Sequence, residues 1–315
     1  MNITFSLNEK ARTSSIGNKT IEGYIGSGSL VRAFANRGHI LNIIHPNDLY
    51  KINDEIYSKN IYGFDNNVGF YKKDVRCLLS GDVFFVYGLG EDNDLDISKN
   101  FMNYLYQIEK QFNLVLNSAE STSYEFKPKQ KTLDLPWIPK FQVNSKNDLV
   151  SLVKYNEKII AKPTIGFAGK GVHYIGNIDD IDFIPSHQIN YYVYEKFLPA
   201  REERRYLFLD NQLIIRRKIG KTGYPGKEEV ISVDLFEGID REIKLSKKII
   251  SNLEMFYGSV DFRGEYLLEI NGSGTGVAPP TINGQEDCYN IPYIILQAIE
   301  RKVDVNELYN KKSAL

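Results

Sequence analysis

Cysteine is scarce in this chain: two among 315 residues, Cys77 and Cys288. That excludes a disulfide framework, and compartment logic makes both reduced thiols of a cytosolic protein. The four histidines are scattered, with no Cys/His pattern at zinc-ligand spacing. No apolar run approaches the roughly 18 residues that a membrane span needs, so no membrane partner is expected. An excess of either charge is also missing. Lys and Arg number 39 and Asp and Glu 40, for a net charge of −1. No global field therefore draws the chain toward nucleic acid or an anionic surface. The start, Met1-Asn2-Ile3-Thr4-Phe5, has neither the basic residues nor the apolar stretch of a secretion signal, and a cytoplasmic location is expected.

What is present is ordinary globular composition, 42% hydrophobic and 25% charged, in a length that suits two or three packed subdomains. Residues 2–7 read as a strand, and a polar stretch from Asn8 to Ser29 follows. Leu30, Val31 and Phe34 share a helical face that Gly38 would end, ahead of a buried strand from His39 to Ile44. Asp82 to Tyr87 crowds β-branched and aromatic residues into another strand. Phe101, Leu105, Ile108 and Phe112 fall at helical spacing before a strand at Leu114-Val115-Leu116. This alternation predicts an α/β layer with a mostly parallel sheet over 1–120.

From about 118 to 141 prolines mark an irregular connection and a boundary. Beyond it Ser145 and Asp148 have the spacing of a capping box. Strands are expected at Lys158 to Pro163 and Tyr191 to Leu198, then hairpins around Asp210-Asn211 and Arg263-Gly264. The C-terminal half is thus read as α+β, and the chain divides into 1–120, 121–198 and 199–315.

Three blocks carry chemistry. In the first, Lys162-Pro163 closes a strand and Gly166, Gly169 and Gly171 follow. Glycines let backbone N–H groups approach phosphate oxygens, and lysine adds a compact positive charge. The spacing fits neither a Walker loop nor a dinucleotide fingerprint; a plain hairpin turn with a surface lysine is the bland alternative. In the second, Asp261 ends one strand, while Glu269 and Asn271 lie two apart on the next and project from one face. Two carboxylates and an amide oxygen make a hard-oxygen site suited to Mg²⁺; a structural salt bridge is the alternative. The third is Tyr194 to Ala200 with Arg201 to Arg205 and Arg216-Arg217-Lys218, where basic residues end apolar strands and can share a cleft with the acids.

Taken together and in this order, the blocks resemble the ATP-grasp superfamily, and in layout bacterial glutathione synthetase. The resemblance covers nearly the whole chain, including residues 29–53 and 82–118. It implies an ATP-grasp fold with an N-terminal parallel-sheet domain, and ATP with Mg²⁺ (or Mn²⁺) as cofactors. It implies that Lys162 contacts the nucleotide phosphates, with Lys129 or Lys131 as the second lysine, and that Gly166, Gly169 and Gly171 fold over them. Glu195, Lys196, Phe197 and Leu198 would be the adenine hinge, with Glu203 on the ribose. Arg205 and Lys218 would stabilise the transferred phosphoryl group, and Asp261, Glu269 and Asn271 would hold the metal. Gly272, Ser273, Gly274, Thr275 and Gly276 would border the acceptor carboxylate. The partners would be small carboxylate and amine substrates, and a homo-oligomer is implied.

Residues 220–238 do not look like glutathione synthetase's substrate segment, and Ala168 stands where that family often has glycine. The expected reaction is ATP-dependent carboxylate–amine ligation through an acyl phosphate. That chemistry needs no protein nucleophile, in keeping with the lack of a Ser-His-Asp or Cys-His signature. The rivals are a small-molecule kinase on the same fold and a nucleotide-binding module without turnover.

Overall fold

The computed structural model describes residues 1–7, 27–65, 69–87, 89, 95–155, 157–165, 171–199, 202–222, 229–272 and 291–313. Among them three sheets form, of seven, four and five strands. The first begins with β1 (Asn2–Ser6). Helix α1 (Ser27–Asn36) then buries Leu30, Val31 and Phe34, the face its spacing predicts, and the chain turns at Gly38 with φ of 77°. β2 (Ile40–Ile44) lies parallel to β1.

The chain next departs from the expected alternation. β3 (Leu49–Ile52), β4 (Glu55–Asp65) and β5 (Gly69–Leu78) form an antiparallel meander in a stretch where no strand was expected. Residues 71–76 of β5 are exposed on both faces, so they carry no alternation of apolar and polar positions to read. β6 (Gly81–Val86) returns beside β1 in parallel. Helix α2 (Leu95–Ile108) leads to β7 (Phe112–Leu116), parallel to β6. Phe112 keeps the helical spacing but opens the strand, its ring edge-on to Phe84 at 5.1 Å. The parallel expectation therefore holds for β2, β1, β6 and β7 and fails for β3–β5.

Residues 118–141 are less irregular than expected. They hold α3 (Ala119–Ser123) and α4 (Lys127–Gln130), with Pro128 in the first turn of α4. The second sheet comprises β8 (Lys140–Phe141), then, after α5 (Lys146–Lys154), β9 (Ile159–Pro163), β10 (His173–Ile175) and β11 (Tyr192–Lys196). Its order is β10-β9-β11-β8, all antiparallel. The Ser145/Asp148 capping box starts α5 as spaced. One face packs Ile159, Ala161 and Tyr194 with Leu149. Strand alternation turns Ile160, Lys162 and Glu195 to the other face.

The third sheet is β14-β13-β12-β15-β16. β12 (Glu202–Leu209) and β13 (Gln212–Thr222) meet at Asp210-Asn211, both at positive φ (47° and 62°), as a two-residue hairpin favours. β14 (Glu229–Leu235), α6 (Asp240–Asn252), β15 (Tyr257–Arg263) and β16 (Tyr266–Asn271) follow, with Gly264 at φ 60° in the last turn. Tyr206, Phe208, Val260 and Phe262 face α6 in one core, whereas Leu207, Leu209 and Tyr257 join Phe5 and Phe85 in the core of the first sheet. Helix α7 (Ile291–Ser313) packs back on α1 in that same core.

Candidate active site

The acids come from β15 and β16. Asp261 pairs across the ladder with Glu269, and Ser259 with Asn271. The register shifts between Asp261 and Phe262, leaving Leu268 as the extra residue, and this sets Asp261, Glu269 and Asn271 on one face. The Asn271 amide nitrogen stands 3.3 Å from Asp261 and 3.2 Å from Glu269. Arg205 on β12 grips Asp261 with two bonds of 2.9 and 2.6 Å. Burial pushes Asp261 up to about 6 despite Arg205, with the Glu269 charge adding to the rise. Burial would raise Glu269 too, but Lys127, Lys162 and Arg205 outweigh it and hold that carboxyl down at about 2. Glu269 is therefore charged at neutral pH and electrostatically coupled to lysines of two other elements.

Those lysines converge from α4 and β9. Lys162 Nζ lies 2.6 Å and Lys131 Nζ 2.5 Å from the two oxygens of Glu195, which is 1% exposed. Lys131 also sits over the Trp137 ring at 4.1 Å. Lys127 and Lys131 are four residues apart, hence neighbours on one side of the turn, and both are buried. The Lys127 N–H donates to the Thr164 carbonyl at 2.9 Å, which ties α4 to the end of β9. Burial, helped by Lys162, lowers Lys131 to about 8 against the pull of Glu195.

The expected residues divide. Lys162, Glu195, Arg205, Asp261, Glu269 and Asn271 come together. Lys129 does not: its ammonium is held by Glu120 at 2.7 Å and by Ser123, over the Tyr124 ring. Lys218 is across from Arg204, on the α6 face of the sheet, and pairs with Glu202 at 2.7 Å. The residue across from Arg205 is Arg217, 5% exposed. Glu203 is buried between Arg263 and Lys221. In the hinge, the N–H groups of Lys196 and Phe197 donate to the carbonyls of Pro139 and Lys158, each at 2.8 Å, and Leu198 is half-buried. Gly171 has φ of 70°, and the Gly272 N–H donates to buried Glu125. Gly166, Gly169, Ser273, Gly274, Thr275, Gly276 and Cys288 lie outside the described residues. Sequence reasoning missed Lys127 and Arg217; the four-residue step to Lys131 was the available signal for the first.

Two carboxylates and a carboxamide fit Mg²⁺, which prefers oxygen and keeps water and phosphate ligands. Asn271 would have to turn its amide over to present oxygen. No group of three or more His, Cys, Asp or Glu placed to hold a metal occurs among the described residues. A cavity of about 380 Å³ lined by Pro136, Arg241, Leu245 and Phe262 lies on the α6 face and shares none of these groups.

Models of known protein families give no match to the sequence, and neither do curated protein sequences. Solved structures do match. The ATP-grasp ligase PsnB, complexed with a phosphomimetic variant of its minimal precursor, Mg and ADP, superposes at TM-score 0.59 and 13% identity over 95% of this chain and 97% of that one. The D-alanyl-alanine synthetase A of Vibrio cholerae gives 0.60 at 13% identity over 96% and 98%. A RimK-domain ATP-grasp protein of Sphaerobacter thermophilus gives 0.59 at 12% over 95% and 99%. At such identity the likeness speaks for architecture, and none of these matches singles out glutathione synthetase. The chain has the mixed α/β fold of the ATP-grasp ligases over about 95% of its length.

Proposed function

We propose that the chain is an ATP-dependent carboxylate–amine ligase working through an acyl phosphate, with amino acids or short peptides as substrates in the manner of glutathione synthetase. The observation that carries this reading is the meeting of Asp261, Glu269 and Asn271 on one face of β15 and β16, with Arg205 on Asp261 and with Lys131 and Lys162 brought together on Glu195 from outside that sheet. Acids on one side and lysines on the other leave opposed charge for a metal-bound polyphosphate to bridge. In the reaction a substrate carboxylate oxygen attacks the γ-phosphorus of ATP and ADP leaves. The amine then attacks the acyl carbon, phosphate leaves, and the amine gives up a proton.

In this assignment Lys127, Lys131 and Lys162 bind phosphate oxygens, and Glu195 orients the last two. Arg205 and Arg217 neutralise charge on the transferring phosphoryl group, with Arg217 in the role first expected of Lys218. Asp261, Glu269 and Asn271 hold the metal, which when bound would neutralise phosphate oxygens as a Lewis acid. Because the Lys196 and Phe197 N–H groups already have carbonyl partners, an adenine edge at this hinge would draw on the Leu198 N–H. Residues 1–120, 121–198 and 199–315 remain the working division.

The test is ATP turnover against a panel of amino acids and short peptides, with hydroxylamine present in a parallel series. A hydroxamate formed with one carboxylate, and ADP release stimulated by an acid–amine pair, are the expected results. A stable phosphate ester instead of a hydroxamate would replace ligase with kinase.

A further inference from the structure

β16 is the edge strand of the third sheet, and it carries two of the three proposed metal ligands. Among the described residues no further strand of the sheet runs along its outer edge, and the 117–138 segment takes up the outward backbone groups. Near the start of β16 the Pro136 carbonyl and the Ile138 N–H bond the Leu267 backbone across a single bridge; near its end side chains take over. The Gln130 carboxamide takes both groups of Ile270: Nε2 donates to the Ile270 carbonyl at 2.6 Å, and Oε1 accepts from its N–H at 3.1 Å. Ile270 stands between Glu269 and Asn271. Gln130, 2% exposed, stands in the turn that carries Lys127 and Lys131. One residue beyond Asn271, the Gly272 N–H donates to Glu125 and its carbonyl accepts from the Asn117 amide. Asn117 also makes two bonds to the Tyr257 backbone, at the start of β15.

We propose that Gln130 is a positioning residue that sets the spacing between the lysines of α4 and the acids of β16. It acts as a surrogate peptide unit docked on Ile270, the residue that stands between Glu269 and Asn271. The bonds of Lys127 to Thr164 and of Glu125 to Gly272 tie the segment on either side of the acids; Gln130 bonds the backbone between Glu269 and Asn271 themselves. Its two buried bonds join the turn that carries the lysines directly to the strand that carries the acids. The inference rests on the ATP-dependent reading for what is positioned, and on the geometry alone for the clamp.

The experiment compares Gln130→Met, which keeps the length but neither bond, with wild type. Mg·ATP affinity is read by calorimetry, and exchange of the Ile270 amide by mass spectrometry. Affinity is expected to fall on the order of tenfold, the loss typical of removing a partner that orients metal ligands. Ile270 exchange is expected to quicken while exchange in the central strand β12 stays unchanged. An unchanged Mg·ATP affinity with a faster Ile270 amide would reduce Gln130 to a structural residue and overturn the proposal. Should Gln130→Met fail to fold, Gln130→Glu loses the donor, and an unchanged affinity alongside a faster Ile270 amide there overturns the proposal equally. If wild type itself binds no Mg·ATP, the ligase reading fails instead, and an Ile270 amide that exchanges no faster in Gln130→Met would sink the clamp separately.

Discussion

Arg204 and Arg205 are adjacent, and each grips a carboxylate with two bonds, yet the two pairs lie on opposite faces of one sheet. Arg204 holds Glu242 of α6 at 3.0 and 2.7 Å, and Tyr206 donates to the same carboxylate at 2.7 Å. Behind that pair lies the apolar core of Tyr206, Phe208 and Phe262. Arg205 holds Asp261 just as closely, but beside that pair stand a second acid, Glu269, and the lysines that depress it. An ion pair in isolation does not mark function. Arg204 too has a second carboxylate nearby, Glu202 at 3.6 Å, but Glu202 is solvated and its cation, Lys218, belongs to the same sheet; lysines reaching the second acid from outside the sheet are what separate the two faces.

The largest effect expected from breaking this contrast is at the acids. Glu269→Gln should lower kcat/KM by about a hundredfold or more, the scale of losing a preorganised charge at a transferring group. Its melting temperature should fall as well, because a carboxyl held down by Lys127, Lys162 and Arg205 against burial contributes stability in its charged form that the amide gives up. Glu242→Gln should lose stability alone. Arg204 would be left largely buried without its anion, costing about 2–3 kcal/mol, below the roughly 3–5 of a fully buried pair because Arg204 keeps some solvent contact. Activity per folded molecule should be retained. Melting curves and initial rates on both variants decide; a Glu242→Gln enzyme that melts normally and is inactive would dissolve the distinction between the faces.

The next effect divides neighbours on β13. Arg217→Ala should cost at least about tenfold in kcat, whereas Lys218→Ala should stay within about twofold, since an exposed ion pair contributes at most ~1 kcal/mol. The same two residues show where the sequence stops being legible. Counting back from the Asp210-Asn211 turn without interruption sets Arg216 across from Arg205 and Lys218 across from Glu203, on the site face. The register shift at Leu207/Phe208, with Ile214 as the extra residue, moves every later position by one and brings Arg217 there instead. No residue type in that stretch announces a bulge.

Other features were legible because their signals are local. The buried face of α1, the Ser145/Asp148 cap and the Asp210-Asn211 turn follow from spacing alone. So does the shared face of Glu269 and Asn271, two residues apart beyond the bulge. Placing Asp261 on that face, or Lys127 and Lys131 opposite it, depends on pairing between distant segments. The β3–β5 meander stayed hidden for a further reason: much of β5 is solvated on both sides, and its apolar pattern is erased.

A smaller, pH-dependent effect bears on the lysine side. Lys131 sits near 8 in the folded protein, below its ordinary 10.5, because burial and Lys162 outweigh Glu195. Between those values the unfolded chain binds more protons, so stability should rise as pH climbs from about 8. ATP binding should move the other way, because a neutral amine no longer balances phosphate charge. kcat/KM for ATP should therefore fall through about pH 8 while the melting temperature holds or rises. Lys131→Arg, which stays charged, should carry that limb to higher pH. A decline in rate that merely tracks unfolding would remove Lys131 from the site.

The smallest effect is at Lys129, and it is the sharpest check on which face of α4 looks into the site. Its ammonium is about a third exposed and pairs with Glu120, itself mostly solvated. Such a pair contributes between 0 and about 1 kcal/mol. Lys129→Ala should leave the KM for ATP within about twofold, whereas Lys131→Ala, two residues on, removes a cation shared with Lys162 and Glu195 and should raise it by on the order of tenfold. Because one helical turn separates Lys127 from Lys131 and Lys129 falls between them on the other side, Lys129 cannot face the phosphates that Lys127 and Lys131 face without α4 unwinding. If Lys129→Ala proved the more damaging, the short helix would have to present its opposite side to the nucleotide, and the acids of β16 would face the wrong cations.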